Sequence, residues 1–151
     1  MELLKFYKMQ KIKITFDEQE VNQTAKEIGE NLRKFNESKI GPFEFKPFTL
    51  YLADEKDNIS AGIKGEIFEQ VCMVQMAWVT EKERHKGLGQ KLFKKLEEVA
   101  HNYDCEFIQL DTAQFQAKPF YEKLGYRIVA TLPRNFKSYT TYIMRKYLKY
   151  T

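Results

Sequence analysis

The 151-residue chain has little of several features that would classify it quickly. Its two cysteines, Cys72 and Cys105, each stand in an apolar run. Two are too few for a disulfide framework, so both are predicted to be reduced core residues. No run approaches the roughly 20 apolar residues of a membrane span. Residues 1–5 lack the apolar core and cleavage site of a signal peptide. We therefore expect a cytoplasmic protein with no membrane partner.

Metal-binding and common phosphate-binding motifs are also missing. The two histidines, His85 and His101, are isolated from each other and from the cysteines, so no metal site is expected. The sequence contains neither Gly-x-x-x-x-Gly-Lys-Ser/Thr nor Gly-x-Gly-x-x-Gly. These absences argue against a P-loop nucleotidase and against a dinucleotide-binding fingerprint.

Length and charge set further bounds. A length of 151 residues fits one domain, 1–151, and 43% hydrophobic with 30% charged residues is typical of a globular protein. The net charge of +4 is uneven, because residues 112–151 carry eight Lys/Arg and one acid, Glu122. That basic third suits an anionic ligand, either a nucleotide cofactor or a nucleic acid. Its charges are scattered and no nucleic-acid motif accompanies them, so nucleic-acid binding is the weaker alternative.

The hydrophobic pattern predicts a layered α/β (α+β) domain. Three helices are expected: one capped by Asp17 and ended by Gly41-Pro42, one over 88–100, and one over 116–124. The expected strands are 11–16, 47–53, 59–68, 71–79, 105–110, 126–132 and 139–147. Their order with the helices indicates a mixed, mostly antiparallel sheet of about six or seven strands with helices on both faces.

Two local patterns are more detailed. Asp17 and Glu20 have the spacing of a capping box, and Phe16 and Val21 that of a hydrophobic staple. Residues 71–79 are nearly all apolar, which predicts a central strand covered on both faces.

The junction from strand 71–79 to the helix at 87 carries the clearest functional signal. Unpaired N–H groups and a partial positive charge make the start of a helix an anion site. Gly87 and Gly89 let a ligand approach the backbone closely, and Arg84 and Lys86 add positive charge. The pattern predicts a phosphate or pyrophosphate held mainly by main-chain donors.

Residues 74–148 resemble the core of the GNAT superfamily of N-acetyltransferases. Arg84-His85-Lys86-Gly87-Leu88-Gly89 matches the family's Gln/Arg-x-x-Gly-x-Gly/Ala element. Residues 120–126, Phe-Tyr-Glu-Lys-Leu-Gly-Tyr, match its second element about 30 residues later. Asp111-Thr112 followed by Phe115-Gln116-Ala117 resembles a bacterial branch of unassigned substrate.

The resemblance implies the GNAT (acyl-CoA N-acyltransferase) fold, with the strands at 71–79 and 105–110 splaying apart to admit the pantetheine arm of acetyl-CoA. Main-chain groups of residues 77–79 would bind pantetheine, and residues 84–90 the pyrophosphate. Gln114 stands where many relatives have an asparagine that bonds pantetheine. The cosubstrate-binding residues implied are Ala77, Trp78, Val79, Arg84, His85, Lys86, Gly87, Leu88, Gly89, Gln90 and Gln114.

The same resemblance makes Tyr121 the catalytic acid that protonates the departing thiolate, which a phenol of pKa about 10 can do at neutral pH. The general base stays open. Relatives often carry an acid on the strand where this chain has Gln75, so Glu66, Glu69 or a chain of water molecules are the alternatives.

We therefore predict an acetyl-CoA-dependent N-acetyltransferase that acts by direct attack of a primary amine on the thioester. A catalytically silent acyl-CoA sensor is the main alternative. The acceptor, a small-molecule or peptide amine, is not identified, and a homodimer is one option for the assembly. Five aromatic residues are candidates for lining the acceptor pocket: Phe43, Phe45, Phe48, Phe136 and Tyr139.

Overall fold

The structure, a computed structural model, describes residues 12–149 and divides the chain into two compact units. The first unit ends at Pro42 and the second begins at Phe43. Each unit is described by itself. Within residues 12–149 no helix is long and apolar enough to cross a membrane.

The first unit contains one helix, α1 (Glu18–Ile40). Residues 12–17 have no regular structure, so the predicted strand 11–16 is wrong over 12–16, and residue 11 lies outside the described residues. An alternating pattern forms a strand only beside a partner strand, and the described part of this unit has none. Gly41, at φ 84°, ends the helix as predicted.

The start of α1 uses half of the predicted capping box. Asp17 Oδ1 accepts a hydrogen bond from the Glu20 N–H at 2.9 Å. The Asp17 N–H donates to Thr15 Oγ1 (3.2 Å), which takes the place of the expected Glu20 side chain. Phe16 is 90% exposed, so the predicted staple with Val21 does not form.

The second unit is a six-stranded sheet with two helices. The strand order is β1-β2-β3-β4-β6-β5, and β3–β4 is the parallel pair among antiparallel neighbours. This confirms the predicted mixed, mostly antiparallel sheet, although β4 begins and ends a few residues later than expected. The elements are β1 (Phe45–Ala53), β2 (Ile59–Phe68), β3 (Val71–Val79), α2 (Leu88–Asn102), β4 (Phe107–Ala113), α3 (Lys118–Lys123), β5 (Arg127–Phe136) and β6 (Tyr139–Tyr147).

The core lies between one face of the sheet and the two helices. Helix α2 buries Leu92, Phe93, Leu96 and Ala100. Cys72 and Cys105 are fully buried free thiols, as predicted. Burial, followed by the charge of Cys105, raises the pKa of Cys72 to about 12, which makes it an unreactive thiol.

Strand β3 is covered on both faces along its first half only. Met76 is 60% exposed and Trp78 52%, which corrects the expected full burial. The change occurs at a bulge, because Val74 pairs with Gly65 and Met76 with Lys64, which leaves Gln75 as the extra residue. A Cβ on Gly65 would overlap the Met73 carbonyl oxygen and the Phe48 ring, so the bulge requires glycine opposite it.

Tyr126 supplies a stability prediction, because its hydroxyl is fully enclosed and has no hydrogen-bond partner in the described part of the chain. Leaving a buried polar group unpaired costs about 1–3 kcal/mol. We expect Tyr126→Phe to raise the free energy of unfolding by about 1 kcal/mol in urea denaturation. Tyr147→Phe, which alters an exposed tyrosine, is the control and should change nothing. A loss of stability in Tyr126→Phe would show that the hydroxyl has a partner.

Candidate functional site

The site begins where β3 and β4 separate. The two strands pair in parallel over three rungs, the last of which joins Met73 to Gln109. Beyond that rung β3 continues to Val79 and β4 to Ala113 with no further pairing between them. The splay that the family resemblance implies is therefore present, and the bulge at Gln75 lies at its start.

The separation exposes backbone groups of β3. The Thr80 N–H donates to the Ser60 carbonyl at 2.8 Å, so Thr80 belongs to a pair that exchanges hydrogen bonds with β2. Such pairs alternate with non-bonded pairs along an antiparallel ladder. Trp78 accordingly turns its main-chain groups toward β2, whereas Ala77 and Val79 turn theirs toward the gap. Two of the three residues expected to offer backbone groups there do so.

The start of α2 faces the same region and has no side-chain cap. Gly87 is the N-cap in the left-handed conformation at φ 83°, and nothing lies within 4 Å of the place where a Cβ would stand. The first helical hydrogen bond runs from the Lys91 N–H to the Gly87 carbonyl at 3.0 Å. The N–H groups of residues 88–90 thus precede the helical hydrogen-bond pattern and are open to an anion.

The charged side chains of the turn have local partners. Arg84 Nε donates to the Val79 carbonyl at 3.1 Å and so ties the turn to the end of β3. Lys86 forms an exposed ion pair with Glu83 at 3.3 Å. His85 is exposed and adopts a positive φ of 62°. The structure therefore brings the predicted turn residues to one place, with backbone donors more directly available than side-chain charges.

Gly89 has a reason for being glycine that the sequence did not reveal. A Cβ there would stand 3.1 Å from Cζ of Phe120 and 3.7 Å from Cγ2 of Val79. The missing side chain lets α3 approach the first turn of α2. That contact fixes α3, and with it Tyr121, against α2.

Tyr121 is a residue of α3 whose ring packs against α2, and it is 8% exposed. Its ring meets those of Phe93, Phe120 and Tyr126 edge to face, with centroids 5.3–5.9 Å apart. Burial, followed by the negative charge of Asp111, raises the pKa of the Tyr121 hydroxyl. Both effects favour the protonated phenol, which is the form a proton donor needs.

Two polar residues that sequence reasoning missed hold the loop before α3. Thr112, buried on β4, accepts the Ala117 N–H through Oγ1 at 3.3 Å. Gln116 Oε1 accepts the Ala113 N–H at 2.7 Å. Both residues belong to the Asp111-Thr112 and Phe115-Gln116-Ala117 pattern that resembles one bacterial branch. Their side-chain oxygens accept hydrogen bonds from backbone N–H groups of the loop. They position α3 and so Tyr121.

The remaining candidates lie at opposite ends of the β3–β4 pair. Gln114 is exposed just beyond β4, on the open side, where its N–H donates to Thr140 (2.8 Å). Glu66 pairs with Met73, and Glu69 lies in the β2–β3 turn, so both stand on the side where β3 and β4 are still joined. Ala77 is four residues past Met73, roughly 10–13 Å along the strand.

The aromatic candidates divide in the same way. Phe45 stacks on Phe68 at the closed side, with Phe43 packed against both rings. Phe48 joins the core. Phe136 and Tyr139 instead form an exposed cluster with Phe115, at 5.6 Å and 4.8 Å between centroids, near the open end of β4. Only this second group can contribute to a pocket at the gap.

The site therefore combines a split pair of parallel strands, an uncapped helix start and a buried phenol on α3. Comparison with known proteins identifies the group. The model of the acetyltransferase (GNAT) family matches residues 13–126, and the chain belongs to that family. It is an acetyl-CoA-dependent acetyltransferase.

Individual relatives agree. A blasticidin-S acetyltransferase of Streptomyces morookaense is 29% identical over 131 residues, covering 86% of this chain and 95% of the relative. A crystal structure of an acetyltransferase from Bacillus cereus matches with a TM-score of 0.78 and 25% identity, covering 93% of this chain and 99% of that one. A candidate streptothricin acetyltransferase from Bacillus anthracis, solved with acetyl coenzyme A, matches with a TM-score of 0.60 and 18% identity over 68% and 62% of the two chains.

Residues 12–149 contain no group of three or more His, Cys, Asp or Glu side chains able to hold a metal ion.

Gly87 gives the prediction for this site. Its left-handed backbone resists a side chain by about 1–2 kcal/mol, so Gly87→Ala should destabilise the protein by that amount. It should also raise the KM for acetyl-CoA, since the new methyl group fills space beside the helix start. Urea denaturation and initial rates measure the two effects. Gly29→Ala, in the middle of α1 with nothing nearby, should instead stabilise by about 0.5–1 kcal/mol and leave KM unchanged. An unaltered KM in Gly87→Ala would contradict pyrophosphate binding here.

Proposed function

We propose that the chain transfers the acetyl group of acetyl-CoA to a primary amine of a small molecule, by direct attack of the amine on the thioester. The observation that carries this proposal is the separation of β3 and β4 after Met73, directly beside the uncapped start of α2. The gap offers backbone groups to a pantetheine arm, and the helix start offers N–H groups to a pyrophosphate.

In this proposal the cosubstrate is bound mainly by main-chain atoms. Ala77 offers its main-chain groups to the pantetheine amides, and Val79 offers its N–H, because its carbonyl already accepts from Arg84. Residues 88–90 offer N–H groups to the pyrophosphate. Arg84, His85 and Lys86 shape the turn and add positive charge, which is attenuated at Lys86 by its ion pair with Glu83. Gln114 contributes from the far side of the gap. Trp78 contributes its exposed side chain rather than its main chain.

The chemistry requires a neutral amine, a stabilised oxyanion and a protonated sulfur. The amine nitrogen forms a bond to the thioester carbon, backbone N–H groups near Ala77 stabilise the oxyanion, and the C–S bond then breaks. Tyr121 donates its proton to the departing sulfur and regains one from the nitrogen through solvent. The nitrogen loses two protons in all, of which one ends on the sulfur and one in solvent.

We assign the removal of the first proton from the amine to water rather than to a side chain of β2. Glu66 and Glu69 both stand where β3 and β4 are still paired, roughly 10 Å or more from Ala77 along the strand. The exposed outer half of β3 gives water direct access to the gap.

The relatives support a small-molecule acceptor. The curated relative is named for blasticidin S and is matched over 95% of its length. The candidate streptothricin acetyltransferase is likewise named for a small molecule. We propose an amine of this general kind, without naming the compound. A single domain over residues 1–151, a cytoplasmic bacterial setting and a homodimer stay predictions.

Two alternatives make different predictions in one assay. Purified protein is mixed with acetyl-CoA and a panel of amines that includes blasticidin S, polyamines, amino acids and peptides, and free thiol release is followed. Release that depends on an added amine supports the proposal. Binding of acetyl-CoA without release on any amine would favour a silent sensor. Tight, salt-sensitive binding of DNA or RNA in a filter assay would favour a nucleic-acid protein.

Tyr121→Phe tests the acid. Removing the hydroxyl should lower kcat roughly 100-fold or more, because general acid catalysis contributes that much. The affinity for acetyl-CoA, measured by calorimetry, should stay within about twofold, since the ring contacts are kept. Tyr142→Phe, a half-buried tyrosine of β6, is the control. Unchanged turnover at saturating substrates would refute the role of Tyr121.

The pH profile offers an independent check. Burial and Asp111 raise the pKa of Tyr121 above its ordinary value of 10.0. The phenol is therefore protonated below that pH, and its contribution is lost only as pH rises through the raised pKa. We expect kcat at saturation to show no downward limb from this group between pH 7 and pH 10. A limb in that range that vanishes in Tyr121→Phe would contradict the raised pKa of Tyr121.

A further inference from the structure

We propose that Asp111 captures the acceptor amine in its charged ammonium form at the gap between β3 and β4, so that the acceptors of this enzyme are aliphatic amines rather than uncharged aromatic amines. This inference rests on the proposed function and specifies its substrate class. It is carried by the position of Asp111, its surroundings and its lack of a partner.

The position follows from the register. The last rung between β3 and β4 joins Met73 to Gln109, so Asp111 is the second residue of β4 beyond the point of separation. Its carboxylate is exposed, whereas the residues on either side of it, Leu110 and Thr112, are buried. Aspartate is depleted in strands, and here it interrupts a strand that is otherwise apolar or neutral.

Among the described residues, no cation pairs with the Asp111 carboxylate. Among the seven ion pairs found within residues 12–149 none includes Asp111, and no side-chain hydrogen bond reaches it there. Arg145 stands on the same face of β6, but its Nε donates to Gln109 Oε1 at 2.7 Å and its guanidinium lies over the Phe107 ring at 4.1 Å. Arg145 is thus committed to other partners.

The surroundings suit an amine with an apolar body. Asp111 shares the sheet face of Gln109, hence of Met73, and the β2–β3 register puts Met76 and Trp78 on that same face past the bulge. There they line an open groove of about 310 Å³ together with Tyr51 and Lys64. The groove has an apolar floor, and its one cation, Lys64, lies on β2, with β3 between it and the gap.

Asp111 is also coupled to the proposed acid. Its negative charge raises the pKa of the Tyr121 hydroxyl, after the larger effect of burial. An ammonium held by Asp111 is therefore within electrostatic range of the group that protonates the departing sulfur. An aliphatic amine, with a pKa of about 10.4, arrives charged at neutral pH and gains from this carboxylate. An aromatic amine is uncharged at that pH and does not.

Trp78, the sole tryptophan, provides a direct probe. It lies on the same sheet face as Asp111, on the opposite strand of the gap. The full chain, saturated with coenzyme A, is titrated with 1,5-diaminopentane and with 1,5-pentanediol while Trp78 fluorescence is recorded. The diamine should bind at least about tenfold more tightly than the diol. Asp111→Asn should weaken diamine binding about 10- to 100-fold, the effect expected for a hydrogen bond to a charged group.

Two controls make the result specific. Asp104→Asn removes an exposed carboxylate at a positive φ that asparagine tolerates, and it should change diamine binding by less than about twofold. Asp111→Glu keeps the charge and should retain most of the affinity. Diamine binding that is absent, that survives in Asp111→Asn, or that is lost equally in Asp104→Asn would overturn the inference.

The thiol-release assay separates this failure from that of the proposed function. Amine-dependent thiol release by a protein whose Asp111→Asn variant still binds the diamine would leave the enzyme proposal standing and remove the role of Asp111. Conversely, no release on any amine, with charge-selective binding lost only in Asp111→Asn, would remove the enzyme proposal and leave a cation site.

Discussion

The loss of pairing between β3 and β4 beyond Met73 is the constraint on which the rest of the site depends. Backbone N–H and C=O groups inside a sheet need partners, so a strand that leaves its neighbour creates a row of groups with nothing to bond. At Val79 the chain supplies its own partner, the Arg84 side chain. Within residues 12–149 Ala77 has no such partner, and the exposed half of β3 is where a ligand arm can complete the ladder.

Several features that look local serve this separation. The bulge at Gln75 turns the outer half of β3, and Gly65 makes room for it opposite Met73 and Phe48. Gly89 allows Phe120 to rest on the first turn of α2, next to Val79 at the end of β3. Both glycines act through the absence of a Cβ. An alanine Cβ would overlap the Met73 carbonyl oxygen at Gly65, whereas at Gly89 it would press on the Phe120 ring. Alanine should therefore be tolerated better at Gly89 than at Gly65.

The sequence predicted the elements of the second unit well because they have strong internal signals. Strand β3 matches its expected range, since its bounds are set by the turn at 69–70 and the charged turn at 80–86. The same signals failed at residues 12–16, where the alternation is as regular but the described part of that unit offers no strand to pair with. Pairing is a property of two segments, and one segment cannot reveal it.

The candidate site was predictable to a similar degree. The glycine turn and Tyr121 are both part of short motifs, and the structure packs α3, which contains Tyr121, against α2, which begins at the glycine turn. The local pairing of Lys86 with Glu83, and the steric reason for Gly89, depend on side-chain positions that a motif does not encode. The bases considered from sequence were chosen for their nearness along the chain. Strand register decides their distance from the gap instead, and it puts Glu66 and Glu69 at the closed side.

The site also separates charge in a way that the basic C-terminal third conceals. The start of α2 offers positive potential to a pyrophosphate, whereas Asp111 is a lone carboxylate on the other strand of the gap. If the two binding groups were exchanged, Asp111 would repel the anionic cosubstrate and the start of α2 would repel a cationic acceptor. In the proposed function the thioester lies between the start of α2 and Asp111. The net charge of +4 is therefore a poorer guide to the ligands than the local charges, which are positive at the start of α2 and negative at Asp111.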